Sequence, residues 1–147
     1  MPADIIALAT VLRSRRAEIR NLPAVAGLDG FVDEMISVVR ERSGLGTAWK
    51  PVPTIAEFAQ LMAAAAGRSS LREIVVTSRD PGGCAVNFGD GIASLGVQLD
   101  AFATLGTPRN PAFDAFAGKC RSCTSWGRQP GLTLALEFSD GKYMLSS

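Results

Sequence analysis

Apolar residues fall into helical and strand spacings along this chain, and each change of spacing marks a predicted element. From Asp4 to Asn21, Ile5, Leu8, Leu12 and Ile19 recur at helical intervals, while Arg13, Arg15, Arg16 and Arg20 lie largely off that stripe. This predicts an amphipathic helix packed on the outside of a domain, its arginines a solvated face or a phosphate or partner contact. Pro23 ends the helix, and Ala24–Leu28 is small and apolar enough for a buried strand. Met35–Arg42 predicts a strand, and 43–53 a loop rich in glycine and proline. Thr54, with Glu57 three residues later, has the capping-box pattern, opening a helix that Gly67 ends and that buries Ile55, Phe58, Ala59, Leu61, Met62 and Ala65.

Leu71–Ser78 reads as a strand leading into Pro81–Gly96, a glycine turn that opens a helix over 86–95. Val97–Leu105 reads as the next strand, so strand, turn, helix and strand predict a parallel βαβ unit. Asn110 and Pro111 start a helix through Gly118. At the end, Leu132–Phe138 and Tyr143–Leu145 flank Asp140-Gly141, a strong hairpin signal. Ser147 follows directly on that second strand, whose edge would stay unpaired, so the chain is expected to be truncated.

Candidate chemistry gathers around the glycine turn. Gly82 and Gly83 let a ligand approach the main chain, and the first amides of the following helix lack intrahelical partners. Asn87 adds a side-chain donor and acceptor, a combination that suits a polyhydroxylated ligand. Spacing alone equally allows glycines that only turn the chain and an Asn87 that caps something nearby. Asp29 and Asp33 follow a buried strand, where open α/β sheets place ligand contacts. Asp29 also fits an ordinary turn with Gly30, whereas Asp33, among Phe31, Val32, Met35 and Ile36, is a carboxylate in apolar company that needs partners.

Composition narrows the classes. The 147 residues are 47% hydrophobic and 20% charged, the profile of a folded protein, and a net charge of +1 with no long basic run gives no case for nucleic acid or an anionic membrane. No stretch is apolar enough for a signal or membrane span, so a cytoplasmic protein is expected. The chain has no histidine, which removes Ser-His and Cys-His machinery and leaves acid-base work to carboxylates, cysteine, lysine or tyrosine. Cys120 and Cys123 form a lone Cys-x-x-Cys with only Cys84 besides, so structural thiols are expected and no metal site.

Taken together, Ala26-Gly27-Leu28-Asp29-Gly30-Phe31-Val32-Asp33, then Gly82-Gly83-Cys84-Ala85-Val86-Asn87 running on to Leu95-Gly96, then the closing hairpin, resemble the first half of the ribokinase or PfkB family of carbohydrate and nucleoside kinases. The resemblance spans nearly the whole chain. It implies an α/β, ribokinase-like fold, with a Rossmann-like central sheet flanked by helices and a small β-lid. Residues 1–147 would be the N-terminal, substrate-binding half, with lid strands near 36–42, 72–79 and 132–147. Asp33, and less securely Asp29, would hold substrate hydroxyls, Gly82 and Gly83 would meet the sugar and act as a hinge, and Asn87 would bond another hydroxyl. The implied activity is transfer of the γ-phosphate of ATP, with Mg2+, to a sugar or nucleoside hydroxyl, and the lid implies a homodimer as in some members.

This sequence departs from the family at three places. Cys84 stands where ribose-specific members usually carry lysine, and Gly106-Thr-Pro-Arg-Asn110 lacks the usual acidic, glycine-containing signature. The family's Gly-Ala-Gly-Asp element, with its anion hole and catalytic aspartate, occurs nowhere in the 147 residues, nor does a Walker-type Gly-Lys-Ser/Thr loop. Most of the nucleotide site and the catalytic base would therefore lie beyond Ser147, and this chain alone is expected to be inactive. The alternatives are a non-catalytic sugar-binding or dimerising module and a nucleoside kinase fragment.

Overall fold

A computed structural model describes residues 3–44 and 48–147 as a mixed α/β protein. The chain divides into two compact units and passes between them three times: the first holds the chain through Phe31 together with Pro81–Pro130, the second Val32–Asp80 and Gly131–Ser147.

In the first unit, helices α1 (Ala3–Ser14) and α2 (Arg16–Arg20) precede strand β1 (Pro23–Ala26). The predicted single helix is thus two, and its apolar stripe is not buried: Ile5, Leu8 and Leu12 are each exposed, because no described residue of this chain covers them. Helix α4 (Cys84–Ser94) and strand β5 (Gln98–Ala103) follow the return from the second unit. A 3₁₀ turn (Pro111–Phe113), helix α5 (Asp114–Ala117) and strand β6 (Ser122–Ser125) complete it. The sheet is parallel, in the order β1-β5-β6, with Ala26 opposite Ala101 and Ala101 opposite Cys123. Leu99, Ala101 and Ala103 turn one face inward, and Phe113 and Phe116 are buried in the same unit. The other face is bare, with Val25 78% and Phe102 45% exposed.

The second unit is built on a long strand, β2 (Phe31–Arg42), which pairs with β3 (Trp49–Pro51), with β4 (Ile74–Gly82) and with β7 (Gly131–Phe138). β8 (Gly141–Ser146) closes an antiparallel hairpin on β7, with Phe138 opposite Gly141, as Asp140-Gly141 predicts. Helix α3 (Ile55–Ala63) lies in the same unit. Its Phe58 and Leu61 pack with Leu134 and Phe138 against a core of Ile36, Val38, Val52 and Leu136.

Two expectations are corrected here, and one strand had no expectation. The strand before the glycine turn and the strand after it do not share a sheet: β4 pairs with β2, and β5 takes β1 as its parallel partner. The parallel unit is therefore β1, α4 and β5, with the second unit's first segment inserted between strand and helix. Hydrophobic spacing fixes elements, not which distant strand each one joins. Within the predicted loop 43–53, Trp49–Pro51 pairs with β2, while residues 45–47 lie outside the described set. Finally, β6 is a strand of Ser-Cys-Thr-Ser, too short and polar for its pattern to announce it.

Candidate functional site

Gly83 sets the geometry at the start of α4. It occupies the N-cap position with φ +98°, a conformation that glycine adopts without steric cost, and it has no side chain with which to cap the helix. The acceptor comes from the loop after β1. Asp29 Oδ2 accepts from the Cys84 amide at 2.6 Å, and Oδ1 accepts from the Ala85 amide at 2.9 Å. A negative carboxylate at the positive end of a helix is doubly favoured, by hydrogen bonding and by the helix dipole. The same contact explains why the position is glycine, since a Cβ on Gly83 would stand 2.8 Å from Asp29 Oδ2.

The loop that carries Asp29 is itself fastened. The Gly30 amide donates to Thr104 Oγ1 at 2.9 Å, and the Thr104 amide donates to the Leu28 carbonyl at 3.2 Å. Trp126 Nε1 donates to that same carbonyl at 3.2 Å. Thr104 and Trp126 carry no sequence signal for this role, because each acts across a large separation in the chain.

The five candidate residues therefore separate. Asp29, Gly83 and Asn87 are brought together around the first turn of α4, and Gly82, buried, is the last residue of β4 rather than part of an open turn. Two of the amides expected to face a ligand are already held by Asp29. Asn87 is exposed: its amide donates to the Gly83 carbonyl at 2.9 Å, and its side chain has no hydrogen-bond partner among the described residues. Asp33 belongs to the second unit, in β2, where it is half-buried and likewise has no partner among the described residues. The polar groups left available are thus Asn87 and Asp33, whereas each Asp29 oxygen is already engaged.

The remaining chemistry is quiet. Burial, and then the neighbouring Cys123, push the Cys120 thiol up to about 11, and burial also raises Cys123. Both stay protonated at neutral pH, and Cys120 Sγ donates to the Phe116 carbonyl at 3.3 Å, as befits structural thiols. Among the described residues no group of three or more His, Cys, Asp or Glu side chains could hold a metal ion. None of the helices among them is long and apolar enough to cross a membrane.

No curated protein matches the chain. A sequence model described as prokaryotic ketohexokinase, however, matches residues 5–147, which takes in both units, the Asp29 loop, the α4 turn and the hairpin. The chain therefore belongs to the prokaryotic ketohexokinase family, a family of sugar kinases.

Proposed function

We propose that this chain is the sugar-binding part of an ATP-dependent kinase of ribokinase-like fold, and that its sugar is a ketohexose. The observation that carries this reading is the unpartnered Asn87 side chain in the first turn of α4, within a chain matched over residues 5–147 by a ketohexokinase family. A side-chain amide offers both donor and acceptor, which suits a hydroxyl group that does both. Asp33, half-buried in the second unit and without a side-chain partner among the described residues, is a further candidate acceptor for a sugar hydroxyl. Asp29 is a positioning residue on this reading. It holds α4 to the loop after β1 so that Asn87 and the main chain at Gly82 and Gly83 keep a fixed arrangement toward the sugar. The strands of the second unit would serve as the lid.

The residues present do not fit ATP and Mg2+. The first two amides of α4 are occupied by Asp29, the described residues contain no carboxylate cluster for a cation, and the sequence has no Gly-Ala-Gly-Asp element or Gly-Lys-Ser/Thr loop. The chain's own contribution is binding and orienting the sugar, and the base and the phosphate-binding groups must come from residues other than these.

Calorimetric titration of the 147-residue chain with fructose, ribose, glucose and adenosine tests this. Fructose is expected to bind best, and Asn87→Ala and Asp33→Ala are each expected to weaken it by about tenfold, the loss of one hydrogen bond to a sugar hydroxyl. Adenosine binding best would favour a nucleoside kinase instead. Unchanged affinity in both variants would remove the site assignment, and phosphorylation of any sugar by the pure chain would refute its proposed incompleteness.

A further inference from the structure

We infer a second ligand site, away from the sugar-binding residues, that takes a phosphate group carried on an aliphatic moiety. It lies in the first unit, where α1 and α2 meet the carboxyl-terminal end of α4. Two open surface hollows adjoin there. One, of about 490 Å3, is lined by Arg13, Ser14, Arg16, Ala17, Arg20 and Asn21. The other, of about 280 Å3, is lined by Leu12, Ile19, Ser94 and Leu95, together with the same Arg13 and Arg16. Two arginines thus stand on the boundary between a cationic hollow and an apolar one.

The three arginines have no ion-pair or hydrogen-bond partner among the described residues. The one carboxylate on α2, Glu18, is already engaged by Arg15, whose Nε donates to Glu18 Oε2 at 3.0 Å. Arg16 and Arg20 are four residues apart on one short helix, a spacing at which like charges repel. An anion between them relieves that repulsion, and guanidinium groups match the paired oxygens of a phosphate better than any other side chain.

Arg20, though exposed, lays its stem against Gly96. Gly96, at φ +90°, leaves the space its stem occupies, because a Cβ there would stand 2.8 Å from Arg20 Cγ. A packed stem restricts where the guanidinium can go, so less freedom is lost when a ligand binds. The apolar hollow adds what a free phosphate cannot use. Leu95 remains 65% exposed and Leu12 50%, and an alkyl chain laid across them would cover both. The two hollows define one amphiphilic ligand, with its anionic group on Arg13, Arg16 and Arg20 and its alkyl part on Leu12, Ile19 and Leu95.

Amide chemical-shift titration of the full chain tests the proposal with hexyl phosphate, inorganic phosphate, hexanol and vesicles of phosphatidylglycerol. Hexyl phosphate is expected to shift residues 12–21 and 94–96, and to bind at least about tenfold more tightly than inorganic phosphate, with hexanol inert. Arg16→Gln is expected to weaken hexyl phosphate by about tenfold, and Leu95→Ser to remove its advantage over inorganic phosphate. These side chains are exposed, and the wild-type shift map reads the site even if a variant were to unfold. Shifts elsewhere, no shifts, or an Arg16→Gln chain that binds as tightly as wild type would overturn the site. Binding to vesicles without binding to hexyl phosphate would equally overturn it, in favour of a lipid surface. Fructose affinity, read in the same samples, reports separately on the sugar site.

Discussion

Helices α3 and α4 begin in different ways, one in each unit, and the contrast shows what holds each unit together. Thr54 caps α3 from the adjoining residue, its Oγ1 accepting from the Glu57 amide at 3.1 Å, and the Ile55 amide finds Asp140 Oδ1 at 3.0 Å in the hairpin turn. Glycine precedes α4, so its first two amides depend wholly on Asp29, more than fifty residues upstream. A helix with a local cap has part of its start secured by its own sequence. A helix capped only from afar cannot be properly started until distant segments have met, and the same bonds then fix the loop to the helix. In the first unit, therefore, a single carboxylate both completes a helix and anchors a candidate site.

The largest test of this contrast is Asp29→Ala. It orphans two helix amides and releases the loop after β1, and is expected to cost about 2 kcal/mol in urea unfolding. Sugar affinity should fall with it although Asn87 and Asp33 remain, because the residues that position α4 have been lost. Thr54→Ala should cost about 1 kcal/mol, since one cap is removed while Asp140 still holds Ile55, and sugar affinity should not change. Equal losses of stability and affinity in the two variants would break the comparison.

A smaller effect separates the sheets. In the first unit, hydrogen bonds from Arg121 and then Ser122 hold the Asp100 carboxyl down from 3.8 to about 2. A depressed folded value means that the ionised form favours folding. The contribution is complete above about 3.8 and disappears as pH falls through about 2. Urea midpoints measured between pH 5 and 2 should fall more for wild type than for Asp100→Asn, with a modest difference because the pair is solvent-accessible. Arg42 lowers Glu73 in the second unit by the same kind of hydrogen bond, so Glu73→Gln should remove a separate part of the acid dependence.

What the sequence discloses follows the same division between near and far. Thr54 and Glu57 foretell a helix start, and one of the two capping-box bonds forms, while the Glu57 carboxylate turns instead to Arg40 Nε at 3.2 Å. Asp140-Gly141 foretells its hairpin because turn residues act on their immediate neighbours. The partner of β5 could not be read, since strand spacing marks a strand but not its neighbour, and only tertiary packing chooses between β1 and β4. Asp29 was legible as a residue of interest and illegible as a helix cap, because nothing within its own loop reveals where its carboxylate will point. The stripe Ile5, Leu8 and Leu12 was correctly periodic yet remains exposed, a reminder that periodicity reports which face is apolar and not whether this chain buries it.

The register of β1 on β5, with Pro23 opposite Gln98, also sets a timetable for the nascent chain. A ribosome adding about 5–20 residues each second needs several seconds between delivering the two strands. Throughout that interval β1 is an unpaired, apolar edge, and until Cys84 and Ala85 are made the Asp29 carboxylate lacks the amides it accepts from. The intervening segment can meanwhile begin joining β2 to β3, β4 and α3. That segment's core is nevertheless completed only when β7 delivers Leu134, Leu136 and Phe138, after β5 has been made. Slowing translation across 31–80 should therefore lengthen the exposure of β1 and raise its demand for chaperones, although no residue of the finished protein has changed.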